Sequence, residues 1–158
     1  MLMVDIDDFK KFNDSVGHQA GDRFLVEVGA VLAEVGNRPG DLVARFGGEE
    51  FLLVFTETDG ETAWRLAERI RVGVEGLGIV NPGLEAAGVV TVSIGAASAV
   101  AGPRSAWQDL VSRADRALYR AKAGGKNRVL SDGQGSFGVC LEGASSLLRV
   151  QILSYLTL

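Results

Sequence analysis

Cysteine occurs once in these 158 residues, as Cys140, and histidine once, as His18. A lone cysteine excludes an intramolecular disulfide and any multi-cysteine zinc site, which makes a reducing compartment, the cytoplasm, the plain expectation. The lone histidine, His18, has nothing evident beside it with which to form a catalytic dyad. No apolar run approaches the ~18–20 residues of a membrane span, so membrane insertion is not expected. Nor does a basic flank followed by an apolar stretch open the chain, because Asp5, Asp7 and Asp8 arrive almost at once. An excess of positive charge is missing too: 16 Lys and Arg face 20 Asp and Glu, for a net charge of −4. A general basic surface for a nucleic-acid polymer is thereby excluded, and any anionic ligand must meet a local basic cluster. What is present is 47% hydrophobic residues in a length that fits one domain of roughly 100–200 residues. A chain of that size buries about 68–70% of its unfolded surface, enough for a sizeable core.

The pattern along the chain predicts strand Met1–Asp5, a short helix over Asp7–Ser15 with Phe9 and Phe12 on one side, and a turn at Gly17, His18 and Gly21. From Asp22, the apolar residues Phe24, Val28, Val31, Leu32 and Val35 recur at helical spacing up to Gly36. Asp41–Phe46 and Phe51–Phe55 read as two strands of a hairpin around Gly47-Gly48-Glu49-Glu50. Thr58 and Glu61 have the spacing of a capping box ahead of a helix bearing Ala63, Leu66, Ala67, Ile70 and Val74. Val89–Ala97 is a strand, Ser105 and Gln108 open another helix that ends at Gly124-Gly125, and Asn127–Leu130 is an edge strand. The order implies a mixed α/β (α+β) layer, helices over a mostly antiparallel sheet. No repeat recurs at a fixed period.

Two readings fit Gly47-Gly48-Glu49-Glu50-Phe51 when it is taken alone. Gly-Gly between strands is a tight-turn signal, since glycine accepts positive φ, and the acids would then be solvent-facing charges. Against that, adjacent carboxylates repel unless a cation sits among them. Asp5, ending the first strand, would join them if the strands are neighbours, and magnesium takes one or two carboxylates together with phosphate oxygens and waters.

The chain carries Asp5-Ile6-Asp7-Asp8-Phe9-Lys10, Asn13-Asp14, Gly17-His18, Gly21-Asp22 and Gly47-Gly48-Glu49-Glu50-Phe51 in that order. In these blocks, from about Leu2 to Leu130, it closely resembles the GGDEF family of diguanylate cyclases. The resemblance implies a palm-like nucleotidyl cyclase (ferredoxin-like) fold and the condensation of two GTP into cyclic di-GMP with loss of two pyrophosphates. It implies that Asp5, the main-chain carbonyl of Ile6, and Glu49 hold one or two Mg²⁺ (or Mn²⁺) ions. Glu49 and Glu50 are then the catalytic acid pair in the signature turn formed with Gly47, Gly48 and Phe51. Asn13 and Asp22 match the guanine-reading pair, whose acceptors suit the N1 and N2 donors of guanine; taken alone, Asp22 also reads as a helix N-cap. Lys10, Lys122 and Lys126 match phosphate contacts, Lys126 standing where many relatives carry arginine, and the resemblance places His18 near the substrate, while a purely structural role in its turn fits it equally. Arg38-Pro39-Gly40-Asp41 resembles the inhibitory product site, with Arg69 as a secondary contact; taken alone, Arg38 and Asp41 also read as a loop-side ion pair. A strand rising about 3.3 Å per residue puts that site roughly 20 Å from the hairpin tip.

The family segment of Asp-x-Leu-Thr-Gly-Leu-x-Asn-Arg-Arg type is absent from these residues, as is any sensor domain. The expectation is therefore a domain over residues 1–130 with an uncovered apolar patch, followed by an atypical Gly/Ser-rich and then apolar tail over residues 131–158. The tail is expected either to pack opportunistically, over that patch for instance, or to bind a partner. Catalysis is expected to need a homodimer, each protomer presenting one GTP to the other. The alternatives are a non-catalytic cyclic di-GMP-binding module and an inactive fragment.

Overall fold

A computed structural model describes residues 1–86, 88–100 and 106–133. The elements are β1 (Leu2–Ile6), α1 (Phe9–Val16), α2 (His18–Val35), β2 (Leu42–Arg45), β3 (Glu50–Val54), α3 (Gly60–Gly76), β4 (Val92–Ala96), α4 (Trp107–Ala123) and β5 (Val129–Ser131). They form one five-stranded sheet in the order β2-β3-β1-β4-β5. Every pairing is antiparallel except β4 with β5. This is the mixed layer with a mostly antiparallel sheet that the element order implied.

Strand β1 shows how two cores arise from period-two alternation. Leu2, Val4 and Ile6 join Phe24, Val28 and Leu32 of α2 and Ile70 and Val74 of α3 in one cluster. Met1 and Met3 join Leu52 and Val54 of β3 and Leu110, Ala114 and Leu118 of α4 in the other. Full burial of side chains such as Leu, Ile, Val and Phe is worth about 1.5–3 kcal/mol each, so β1, covered on both sides, is the keel of the fold. By the same alternation Asp5 belongs to the α4 side. Helix α4 lies close on the sheet because its buried face is small, with Ala114, Ala117 and Ala121, and because β4 offers Gly95. A Cβ at Gly95 would stand 2.0 Å from the Ala114 carbonyl oxygen and 2.3 Å from the Leu118 nitrogen.

Three boundaries differ from the sequence reading for physical reasons. Helix α2 begins at His18, not Asp22, so His18 and Gly21 are helical and Asp22 is no N-cap. Gly17 alone makes the bend, at φ +85°, and its N–H donates to the Asn13 carbonyl at 2.8 Å. The α3 cap is Asp59, whose carboxylate accepts from the Thr62 N–H at 2.7 Å. The Thr58 hydroxyl instead donates to the Thr56 carbonyl at 2.8 Å, and Glu61 pairs with Arg65. Strand β5 starts only at Val129 because Lys126 and Asn127 both have positive φ. Ser105, expected to help open α4, and the tail beyond residue 133 lie outside the described residues.

Candidate functional site

Register brings the acids together. In the β1–β3 pair Asp5 faces Glu50 across the ladder, and the Ile6 N–H donates to the Glu49 carbonyl at 3.3 Å. The end of β1 is thus stitched to the hairpin tip. The turn itself is closed by the Phe46 and Gly47 N–H groups, which donate to the Glu50 carbonyl at 2.8 and 3.2 Å. Gly47 and Gly48 are not among the glycines of positive φ, which corrects the expectation that backbone freedom puts them there. The need at Gly47 is for space: a Cβ would come within 2.8 Å of Glu50 Oε2. Arg45, which sequence reasoning passed over, props the turn, its guanidinium donating to the carbonyls of Gly47 (3.2 Å) and Gly48 (3.1 and 2.6 Å). Phe51 points away into the α2/α3 core.

Asp5 is buried, and its surroundings disfavour its charge. Burial pushes its carboxyl up to about 6; Glu49 and Glu50 push the same way, while Lys122 opposes them. The Lys122 ammonium, reaching down from the last turn of α4, sits 2.7 Å from Asp5 Oδ2. Asp5 Oδ1 is buried with no hydrogen-bond partner. A second lysine arrives beside it, Lys126 Nζ standing 2.6 Å from Asp8 Oδ2, with Lys11 at 3.1 Å from Oδ1. The hydrogen bond from Lys126, followed by that from Lys11, holds the Asp8 carboxyl below its ordinary value. Asp8 occupies the N-cap position of α1 at φ +53° without capping the helix with its side chain; its carboxylate serves the lysines instead.

The fit to a metal can be tested on these atoms. Among the described residues no three acidic, histidine or cysteine side chains form a ligating cluster. The donors at hand are an orphaned buried carboxylate oxygen, neighbouring glutamates and a main-chain carbonyl, all hard oxygens. Two carboxylates, completed by phosphate oxygens and waters, are a usual set for Mg²⁺, so the residues fit.

Asn13, on α1, lies against α2 at Gly21, where a Cβ would stand 1.8 Å from Asn13 Oδ1. That oxygen too is buried without a partner. Asp22, the next residue along α2, is exposed, as are His18 and Lys10. Gly21, which its spacing to Gly17 assigns to a turn, is instead helical, and its work is to leave room for the Asn13 amide. Arg38 and Asp41 close a tight turn ahead of β2. The buried Asp41 carboxylate accepts from the Arg38 N–H at 3.3 Å and lies 3.5 Å from its Nε, and the Asp41 N–H donates to the Arg38 carbonyl at 3.0 Å. Arg69 is exposed on α3, in a groove of about 590 Å³ between α2 and α3 whose lining includes neither Arg38 nor Asp41. Asp41 precedes β2 and Gly47 follows it, so the strand lies between them.

An α/β domain with an acidic hairpin tip and a lysine pair nearby is what these elements define. Residues 1–128 match the family described as "Diguanylate cyclase, GGDEF domain". The chain belongs to the GGDEF family. It is 44% identical over 129 residues to "Diguanylate cyclase A" of Treponema denticola, covering 82% of this chain and 34% of that protein. The chain thus spans about a third of the length of this relative. Among solved structures, it resembles the GGDEF domain of DgcB from Caulobacter crescentus in complex with c-di-GMP (TM-score 0.73, 37% identity, 83% of this chain and 75% of that one). It also resembles the active GGEEF domain of a diguanylate cyclase from Vibrio cholerae (TM-score 0.72, 34% identity, 84% and 81%). Among the described residues, no helix is long and apolar enough to cross a membrane.

Proposed function

We propose that this domain, over residues 1–130, condenses two GTP into cyclic di-GMP and two pyrophosphates, with residues 131–158 as a separate tail. The observation that carries the reading is the register setting Asp5 opposite Glu50, beside Glu49, with Lys122 and Lys126 converging on the same strand end. Asp5, the Ile6 carbonyl and Glu49 would hold Mg²⁺ or Mn²⁺, the orphaned Asp5 Oδ1 being the free donor. Such an ion, when bound, neutralises phosphate charge and lowers the pKa of the attacking hydroxyl. Lys122 and Lys126 exchange their carboxylate partners for phosphate oxygens, and Lys10 adds a third cation from α1. Asn13 and Asp22 accept from the guanine edge, selecting GTP over ATP, with His18 nearby at the start of α2.

The bond formed joins the 3′-oxygen of one GTP to the α-phosphorus of the other; the bond broken frees pyrophosphate. Glu49 takes the hydroxyl proton, with Glu50 completing the acidic cluster. One domain presents one GTP, and a product with two equivalent phosphodiesters needs two such half-sites, so the working unit is a two-fold homodimer. Arg38 and Asp41, with Arg69, form the inhibitory product site. Because GTP is the substrate, we place the reaction in the cytoplasm, and the signal that pairs two protomers comes from outside these residues.

The test is incubation of the protein with GTP and Mg²⁺ and chromatographic resolution of the nucleotides, beside Glu49→Gln. Cyclic di-GMP from the wild type alone, with turnover in the variant down at least ~100-fold, supports the reading. Unreacted GTP in both samples at concentrations where the protein is dimeric refutes it.

A further inference from the structure

Asp7 has no part in the chemistry above, yet it is a buried carboxylate, 5% exposed, two residues from Asp5. Its acceptors are all engaged by the protein. Ser93 Oγ donates to Oδ1 at 2.7 Å; Thr91 Oγ1 (2.7 Å) and the main-chain N–H of Asn127 (3.0 Å) donate to Oδ2. The third donor comes from the loop between α4 and β5, the loop that carries Lys126.

That loop is held in an unusual shape. Lys126 and Asn127 have φ of +62° and +44°. Asparagine tolerates this region; lysine adopts it only where its surroundings over-determine the backbone. Here they do. The Asn127 amide donates to Glu75 Oε1 at 2.8 Å, and its carbonyl accepts from Arg71 Nη1 at 2.9 Å, both on α3. The Lys126 N–H donates to the Ala121 carbonyl at 3.1 Å, and its own carbonyl accepts from Arg128 Nε at 2.9 Å. Asn127 is therefore pinned on one side by Asp7 and on the other by α3, with Lys126 as the residue displayed.

We propose that Asp7 and Asn127 form a positioning latch that fixes the α4–β5 loop so that the Lys126 ammonium stands where a triphosphate must bind. Neither residue touches the nucleotide; both act through Lys126. A lysine on a four-carbon stem reaches many points, and binding a phosphate with it is efficient only if the stem starts from a fixed place. The latch supplies that fixed start. It rests on the reading of Lys126 as a phosphate contact.

The test uses 3′-deoxy-GTP with Mg²⁺, which lacks the attacking hydroxyl, and reads equilibrium affinity by calorimetry and stability by thermal melting. Lys126→Ala is expected to weaken binding about 30-fold, and Asn127→Gly and Asp7→Asn about tenfold each, within the range for charge-assisted hydrogen bonds. The double variant Asn127→Gly/Lys126→Ala is expected to bind within about twofold of Lys126→Ala, because a latch acting through Lys126 has nothing left to position. A residue of merely structural importance would instead lower affinity by the same factor in both backgrounds. That additive result, or full affinity in Asn127→Gly, overturns the latch while leaving the phosphate site intact. Wild-type affinity in Lys126→Ala overturns the phosphate-contact reading and the latch with it. Glycine accepts φ +44° without strain and keeps the main-chain N–H donated to Asp7, so Asn127→Gly tests the α3 side of the latch even if Asp7→Asn, which tests the other side, fails to fold.

Discussion

Gly21→Ala separates stability from recognition more cleanly than any change to a charged residue. Position 21 is buried inside α2, and an added Cβ would stand 1.8 Å from Asn13 Oδ1 and 2.9 Å from its Cγ. Backbone is not what it meets; the Asn13 side chain has to swing away. On the stability side, alanine in a helix interior gains about 1 kcal/mol over glycine. Asn13 Oδ1 has no hydrogen-bond partner to lose, so the displacement of one amide offsets only part of that gain. The variant should melt within a few degrees of wild type, a difference of about 1 kcal/mol or less. On the recognition side, one hydrogen bond to guanine disappears, about 1–2 kcal/mol, or roughly 5- to 30-fold in GTP affinity. ATP, which does not use that contact, should lose nothing, so the preference for GTP falls by the same factor. Calorimetric titration of both nucleotides alongside a thermal melt measures all three quantities. Undiminished GTP affinity would refute the role of Asn13, and an equal loss for both nucleotides would show general damage to the pocket.

Other consequences of the structure can be measured on stability alone. Gly95→Ala drives a Cβ against the α4 backbone, at 2.0 Å from the Ala114 carbonyl oxygen, and should cost about 1–3 kcal/mol in urea unfolding. Glu75 accepts from Asn127 and Arg71, and those bonds, the Asn127 one foremost, hold its carboxyl below the ordinary value of 4.5. Because the folded value is the depressed one, the contribution is present above about pH 4.5 and fades as the pH falls further; the stability gap between wild type and Glu75→Gln should narrow there. Asp5→Asn should raise the melting temperature at pH 7 while abolishing turnover, since the fold holds ionised a carboxyl pushed up to about 6. A lower melting temperature in that variant would show that the Lys122 pair outweighs burial and the neighbouring glutamates.

The order of strands and helices was legible because both kinds of signal in this chain are strong. Helical spacing runs uninterrupted through Phe24, Val28, Leu32 and Val35, and the β-branched run Val89-Val90-Thr91-Val92-Ser93-Ile94 favours a strand. Helix ends were less so. Asp59 and Thr58 are neighbours, and either side chain suits a cap; only the backbone path decides that Asp59 meets the Thr62 N–H. Glycine carried the most ambiguous message. Gly17 is required for its φ, Gly21 and Gly47 for the atoms that would collide with a Cβ, and sequence reasoning assigned all three to turns. Within the site, residues adjacent in motifs were visible, but contacts between distant elements were not. Nothing in the local sequence pairs Asn127 with Asp7 or Lys126 with Asp8, which are more than a hundred residues apart. Arg45 carries no signal either, since an arginine at a strand end is an ordinary solvated charge until the turn folds back under it.

The charges at the end of β1 show why such a site is costly to keep. Asp5, Glu49 and Glu50 crowd one strand end, and Asp5 has a carboxyl that resists ionisation, chiefly because it is buried and in smaller part because the two glutamates repel its charge. Lys122 relieves part of that strain by pairing with Asp5, and Lys126 pairs with Asp8. A triphosphate adds negative charge to an already acidic place, so it binds only if the lysines turn to it and a cation replaces them among the carboxylates. The two demands are coupled: cation without nucleotide leaves the lysines short of partners, and nucleotide without cation leaves the carboxylates facing phosphate. Each should therefore bind far better in the presence of the other.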